Sequence, residues 1–144
     1  MKKKLVFIVT AFILITAVST YFFNEYRTKI LVQEFFNTEE LGEEIHNINI
    51  LQIEEKEVKM TTIENNNLLY HDLVKSIEDL KIKKDLSSDF SYSEEYRLSF
   101  MYNNSSYHIL VNEKGALRYE GESYKIQGED SIDELFEIIK KGVQ

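Results

Sequence analysis

The chain has 144 residues, a formal net charge of −8 and no cysteine. The missing cysteine excludes disulfides, thiol catalysis, thiolate metal sites and the lipid-carrying cysteine of bacterial lipoproteins. Three of the 17 basic residues (Lys2, Lys3 and Lys4) precede residue 23, and 14 follow it together with all 25 acidic residues, a net charge of about −11. That charge disfavours nucleic acid and anionic lipid surfaces as partners, because both repel it.

An uncharged segment, residues 5–23, follows the three lysines. A helix of this length is about 28 Å long, close to the thickness of a bilayer's hydrocarbon core. We therefore predict a membrane anchor over residues 1–23, with the lysines in the cytoplasm and the C-terminal domain outside. The alternative is a signal peptide cleaved near Ser19, after the small residues Ala17 and Ser19, which would make the protein secreted. The apolar run continues past that position to Phe23, which favours a retained anchor.

Residues 24–44 predict a helical stalk or linker between the membrane and the domain. Tyr26, Ile30 and Phe35 recur at roughly helical spacing, with charged residues between them. The stretch ends in acidic residues around Gly42. These acids lack the glycine-punctuated loop of oxygen ligands that calcium sites use, so we expect a solvated linker and no metal site.

Residues 45–144 predict one α+β domain, which suits the modest length of the chain. Alternation and β-branched residues predict strands at 45–53 and 58–63, joined by a charged turn at 54–57. Asn65, Asn66 and Asn67 offer side-chain oxygens that cap a helix. The apolar stripe expected of this helix is Leu69, Leu73, Ile77 and Leu80, and the lysines expected in its last turn are Lys81, Lys83 and Lys84.

From residue 95 the apolar period changes to two, which predicts four antiparallel strands joined by tight turns. Ser131 and Glu134 have the spacing of a capping box and predict a final helix, whose apolar stripe is Ile132, Leu135, Phe136 and Ile139. The expected fold is a two-layer α+β sandwich, an antiparallel sheet with two helices on one face, preceded by the N-terminal transmembrane helix.

The strand-rich run over residues 96–111, and the segment Tyr124-Lys125-Ile126 leading into residues 131–139, resemble small exported domains of Gram-positive bacteria. The YhfM-like lipoprotein domains are among these. The resemblance covers about residues 45–140 and implies a domain exposed at the cell envelope. It carries over no catalytic residue. The chain departs from the lipoprotein members because it lacks the cysteine that bears their lipid.

No catalytic motif accompanies the three histidines, His46, His71 and His108. His71 and Asp72 are adjacent in the predicted helix, so their side chains point about 100° apart and do not form an oriented acid–base pair. We expect no catalytic, cofactor-binding or metal-binding residues. A hydrolase would need carboxylates that only the fold brings together.

The outward face of the predicted sheet is the most informative surface. If the apolar residues of the strands face the helices, alternation turns Arg97, Ser99, Met101, His108, Leu110, Arg118, Lys125 and Gln127 outward. Half of these are basic or potentially basic in a strongly acidic domain. The candidate partner-binding face consists of Arg97, Met101, His108, Leu110, Arg118 and Lys125. The alternative explanation is ordinary cross-strand pairing of these cations with glutamates.

These patterns predict a non-catalytic binding or scaffold role at the cell envelope, with another envelope protein or a wall component as the partner. A second hypothesis is an exported inhibitor or immunity-type protein, whose acidic domain blocks a cationic enzyme. The sequence does not identify the partner or the oligomeric state.

Overall fold

The apolar N-terminal segment forms a single long helix, α1 (Lys2–Tyr26). The structure is a computed structural model, and it describes residues 2–36, 41, 45–53, 58–87, 95–102 and 105–143. Val6–Tyr26 is long and apolar enough to cross a membrane, and none of it is buried against the rest of the protein. A signal sequence near an N-terminus has the same properties. The hydroxyls of Thr10, Thr16 and Thr20 donate hydrogen bonds to backbone carbonyls one turn earlier, so they do not need water.

One antiparallel sheet organises the rest of the described chain. Its strands are β1 (Lys29–Ile30), β2 (Asn47–Ile53), β3 (Val58–Glu64), β4 (Lys81–Lys84), β5 (Glu95–Met101), β6 (Ser106–Asn112), β7 (Ala116–Tyr119) and β8 (Glu122–Ile126). Their order across the sheet is β1-β4-β8-β7-β6-β5-β2-β3. The remaining described helices are α2 (Leu31–Phe35), α3 (Leu68–Glu78) and α4 (Glu129–Val143). The predicted α+β class with an antiparallel sheet is confirmed.

Alternation along the strands builds the core, as the period of two predicts. Tyr96, Leu98 and Phe100 are buried, and so are the inward residues Ile109, Val111, Leu117, Tyr124 and Ile126 of the next three strands. Helix α4 packs on this inner side, where the ring of Phe136 lies 5.8 Å from that of Tyr96. Helix α3 contacts α4 and β3 and contributes Tyr70, Leu73, Val74 and Ile77 to the same core.

The two predicted helix caps have different outcomes. Asn67 caps α3 as expected, since its side-chain oxygen accepts a hydrogen bond from the Leu69 N–H at 2.9 Å. The capping box at Ser131 is wrong, because α4 already begins at Glu129. Gly128 adopts a φ of 94°, which turns the chain sharply after β8, and the helix starts three residues earlier than a cap at Ser131 implies. Ser131 therefore lies inside the first turn.

The lysines predicted for the last turn of α3 belong instead to a strand. Helix α3 ends at Glu78, and residues 81–84 form β4, which pairs with β1 on one side and β8 on the other. Ile82 is fully buried between its exposed neighbours Lys81 and Lys83. This alternation spans only four residues, and the pairing partners lie far away in the chain. A local helical pattern therefore concealed the strand.

The stalk predicted over residues 24–44 is not a continuous helix. Helix α1 ends at Tyr26, β1 joins the sheet, and α2 buries Leu31, Val32 and Phe35 in the domain core. Residues 37–40 and 42–44, which include the acidic cluster, lie outside the described residues, as does the predicted turn at 54–57. The apolar residues of this stretch pack against the sheet, so residues 29–36 are part of the domain.

Candidate functional site

All six residues of the predicted partner-binding face lie on the same side of the sheet, opposite the core. We call this side, with the outward residues of β2 to β8, the outer face. Arg97, His108, Arg118 and Lys125 are exposed, and Met101 and Leu110 are half-buried. The structure thus brings the predicted residues together, while their binding role stays a prediction.

A continuous row crosses the outer face at its centre. Leu51 of β2 is paired with Arg97, Arg97 with Leu110, and Leu110 with Arg118. Neighbouring strands lie about 4.8 Å apart, so the two arginine backbones are separated by about 10 Å with Leu110 between them. Such a row offers two guanidinium groups on either side of an apolar contact, an arrangement that suits an acidic partner with an apolar anchor.

His108 is fixed on the outer face by two serine hydroxyls. Its Nδ1 lies 2.8 Å from Ser99 Oγ on β5, and its Nε2 lies 3.1 Å from Ser106 Oγ on its own strand. A serine next to a histidine is the start of a nucleophilic triad, but here the third group is a neutral hydroxyl instead of a carboxylate. The arrangement orients the ring and supplies no counter-charge for an imidazolium.

The Ser99–His108–Ser106 cluster could have been found from the sequence only through the strand register. Ser99 and His108 are direct cross-strand partners, while Ser106 and His108 are two residues apart and so share a face. The alternation had already placed Ser99 outward.

Lys125 has a basic neighbour that the sequence interpretation missed. It is paired across the strands with Lys83 of β4, and Lys81 and Lys83 are both exposed. The carboxylate of Asp85 follows β4, and its pKa is held below the ordinary value, first by the hydrogen bonds it accepts from Ser87 and then by the charges of Lys125 and Lys83. The basic part of the outer face therefore extends to β4, although the sequence pattern places its lysines in the last turn of α3.

Lys84, the last residue of β4, points to the other side of the sheet and joins the domain to α1. Its Nζ contacts the carboxylate of Glu25 in the last turn of α1 and lies 2.8 Å from a carboxylate oxygen of Glu122. These hydrogen bonds, first that of Glu122 and then that of Glu25, raise the pKa of Lys84, so it stays charged at any physiological pH. The end of α1 is thus tied to the β4–β8 part of the sheet.

The remaining described surface offers no specific ligand site. A shallow pocket between the β6–β7 turn and the start of α4 is lined by groups of both signs, including Lys125, Glu129 and Asp133. Within the described part of the chain, no three histidine, aspartate or glutamate side chains are close enough together to hold a metal ion.

Known proteins give no guide to this surface: no family model, no curated protein and no solved structure matches the chain. The fold and its charges are therefore the basis for assigning a function.

Proposed function

We propose that the protein is a single-pass, membrane-anchored binding module whose α+β domain lies outside the cytoplasm. Two features support this topology. Val6–Tyr26 forms an unburied apolar helix of membrane-spanning length, and Lys2, Lys3 and Lys4 precede it on the side that the positive-inside rule assigns to the cytoplasm. The contact between Lys84 and Glu25 then holds the sheet close to the membrane end of the anchor.

The domain binds, through its outer face, an acidic envelope protein or an anionic wall component. The single observation that carries this proposal is the row of Arg97, Leu110 and Arg118 on a solvent-facing side of the sheet. Cations gathered on one face favour a partner that is itself acidic, even though the net charge of the domain is strongly negative. Leu110 and Met101 provide the apolar contact. Binding and not catalysis is the role we assign to this face.

The test is charge reversal at both ends of the row. In membranes containing the full chain, Arg97→Glu with Arg118→Glu should reduce recovery of cross-linked partner by roughly tenfold, equivalent to about 1.4 kcal/mol, because two attractive contacts become repulsive. Raising the salt should weaken the wild-type interaction in the same direction. Lys59→Glu with Lys75→Glu makes the same charge change at exposed lysines of β3 and α3 and serves as the control. Equal recovery from all three proteins would rule out the outer face.

An acidic surface on α4 supports a second candidate, the inhibitor of a cationic enzyme. Asp130, Asp133, Glu134 and Glu137 are all exposed along this helix. If this surface binds the partner, Asp133→Lys with Glu137→Lys should abolish recovery of a basic enzyme, while the arginine variants should retain it. The two sets of variants therefore separate the candidates in one experiment.

A further inference from the structure

Three exposed lysines lie together at the part of the sheet that adjoins α1. Lys81 and Lys83 project outward from β4, and Lys125 projects outward from the neighbouring strand β8. We call these three residues the lysine cluster. The lysine cluster is separate from the central row of Arg97, Leu110 and Arg118. Lys81 and Lys83 belong to it because residues 81–84 form a strand of the sheet.

Like charges face each other within the lysine cluster. Lys83 and Lys125 face each other directly across the two strands, a pairing of like charges that destabilises a sheet. None of the three forms an ion pair with a carboxylate within the described ranges. Glu25 and Glu122 both contact Lys84. The charge of the Asp85 carboxylate acts on Lys83 and Lys125, and Glu129 and Asp133 line the same pocket as Lys125. Among the residues that the structure describes, these acids form no ion pair with the cluster and offset its charge only in part. An external anion would relieve the repulsion.

The position of the cluster indicates which anion is within reach. Strand β1 begins only three residues after α1 ends, and β4 runs antiparallel to it, so the direction from Lys81 to Lys84 leads toward the end of α1. Lys84 makes a direct contact with Glu25 of that helix. Three residues of extended chain span at most about 10 Å, and a lipid headgroup layer is about 5 to 8 Å thick. Lys83 and Lys125 are therefore close to the membrane surface.

We propose that the lysine cluster binds the headgroup phosphates of anionic phospholipids next to α1. The inference rests on the membrane anchoring put forward under the proposed function. The strongly negative charge of the domain does not oppose it, because charges more than about 8 Å from the headgroups are screened at physiological salt. Anionic lipid attracts basic groups that lie within this distance of the surface. The contact would fix the tilt of the sheet and thus the direction in which the outer face points.

The absence of native cysteine allows a clean test. Leu86, two residues beyond Lys84, is 75% exposed, so Leu86→Cys can carry an environment-sensitive dye in the full chain. The labelled protein is reconstituted into nanodiscs of phosphatidylcholine with or without phosphatidylglycerol, and dye quenching by a headgroup-labelled lipid is measured. We expect phosphatidylglycerol to increase quenching about twofold, and salt to reverse the increase. Met60→Cys, on strand β3 at the opposite edge of the sheet, is 68% exposed and is the matched label, which should show no increase.

Charge variants identify the residues responsible. Lys83→Glu with Lys125→Glu should abolish the increase, the neutral pair Lys83→Gln with Lys125→Gln should reduce it, and Lys59→Glu with Lys75→Glu should leave it intact.

An increase that survives removal of both cluster charges overturns the proposal, as does equal quenching in the two kinds of disc. If soluble polyphosphate, and not phosphatidylglycerol, produces the lysine-dependent change, the cluster binds a soluble polyanion and the lipid proposal is wrong. A chain that fails to insert into discs overturns the anchor as well, whereas insertion without lipid dependence overturns this inference alone.

Discussion

Two glycines, Gly115 and Gly121, lie in the turns between the C-terminal strands. Replacing each with alanine would distinguish the free-energy cost of backbone strain from that of steric crowding. Gly115 has a φ of 77° and Gly121 a φ of 87°, conformations that side chains disfavour by about 1 kcal/mol or slightly more. A Cβ added at Gly121 would meet no atom within 4 Å, whereas one added at Gly115 would lie 2.5 Å from Cδ1 and 3.1 Å from Cγ1 of Ile132. Ile132 of α4 would have to move.

We therefore expect Gly121→Ala to lower the free energy of unfolding by about 1 kcal/mol, and Gly115→Ala by about 2 kcal/mol, because the second change also displaces the side chain of Ile132. Urea unfolding of the full chain in mild detergent, followed by the near-ultraviolet signal of the tyrosines, measures both values. Equal losses would mean that the side chain of Ile132 does not pack tightly against this turn.

Which elements the sequence predicts depends on how far away their partners lie. The strands β5 to β8 repeat an apolar period of two and are joined by short turns, so both the strands and their outward residues, Arg97 and Arg118 among them, were predictable. Strand β4 has four residues and two distant partners, so the alternation around Ile82 was too short to outweigh the helical stripe before it. Lys81 and Lys83 were missed at the outer face for the same reason.

The segment after α1 shows the same limit and provides a test at the level of elements. Leu31, Val32 and Phe35 have a spacing that fits a stalk helix as well as a buried turn, and only contacts with distant strands distinguish the two. In the structure, the ring of Phe35 stacks on Tyr119 at 4.2 Å and meets Tyr124 edge-on at 5.1 Å. The hydroxyl of Tyr119 donates to the Phe35 carbonyl at 3.2 Å, and burial of this phenol raises its pKa to about 12.

Phe35→Ala should lower the free energy of unfolding of the domain by about 3 kcal/mol, because it removes a buried ring and leaves a cavity between α2 and the sheet. Phe23→Ala is the matched control: its ring is 76% exposed outside the domain, so the same truncation should change the value by less than about 0.5 kcal/mol. The same urea titration in detergent compares them. If the two substitutions had the same small effect, residues 29–36 would be a stalk after all.

At the scale of the whole molecule, basic and acidic side chains are concentrated on opposite sides of the sheet. The outer face carries arginines and lysines, while α4, which packs on the inner side of the sheet, exposes a row of acids. The chain therefore has a strongly negative total charge and still presents a cationic surface. If the outer face binds a partner, the partner must be on the same side of the membrane as the domain. The orientation of α1 in the membrane determines which side that is.

That topology can be tested with single cysteines, since none occurs naturally. In intact cells producing the full chain, a membrane-impermeant maleimide should label Lys75→Cys on α3, and should label Lys3→Cys only after permeabilisation, because the lysines at the start of α1 hold that end in the cytoplasm. The mass and location of the labelled Lys75→Cys protein also distinguish the two possible fates of the anchor. A full-length product in the membrane indicates retention, and a product about nineteen residues shorter in the medium indicates cleavage near Ser19. Labelling of Lys3→Cys but not Lys75→Cys in intact cells would place the outer face in the cytoplasm and contradict the proposed function.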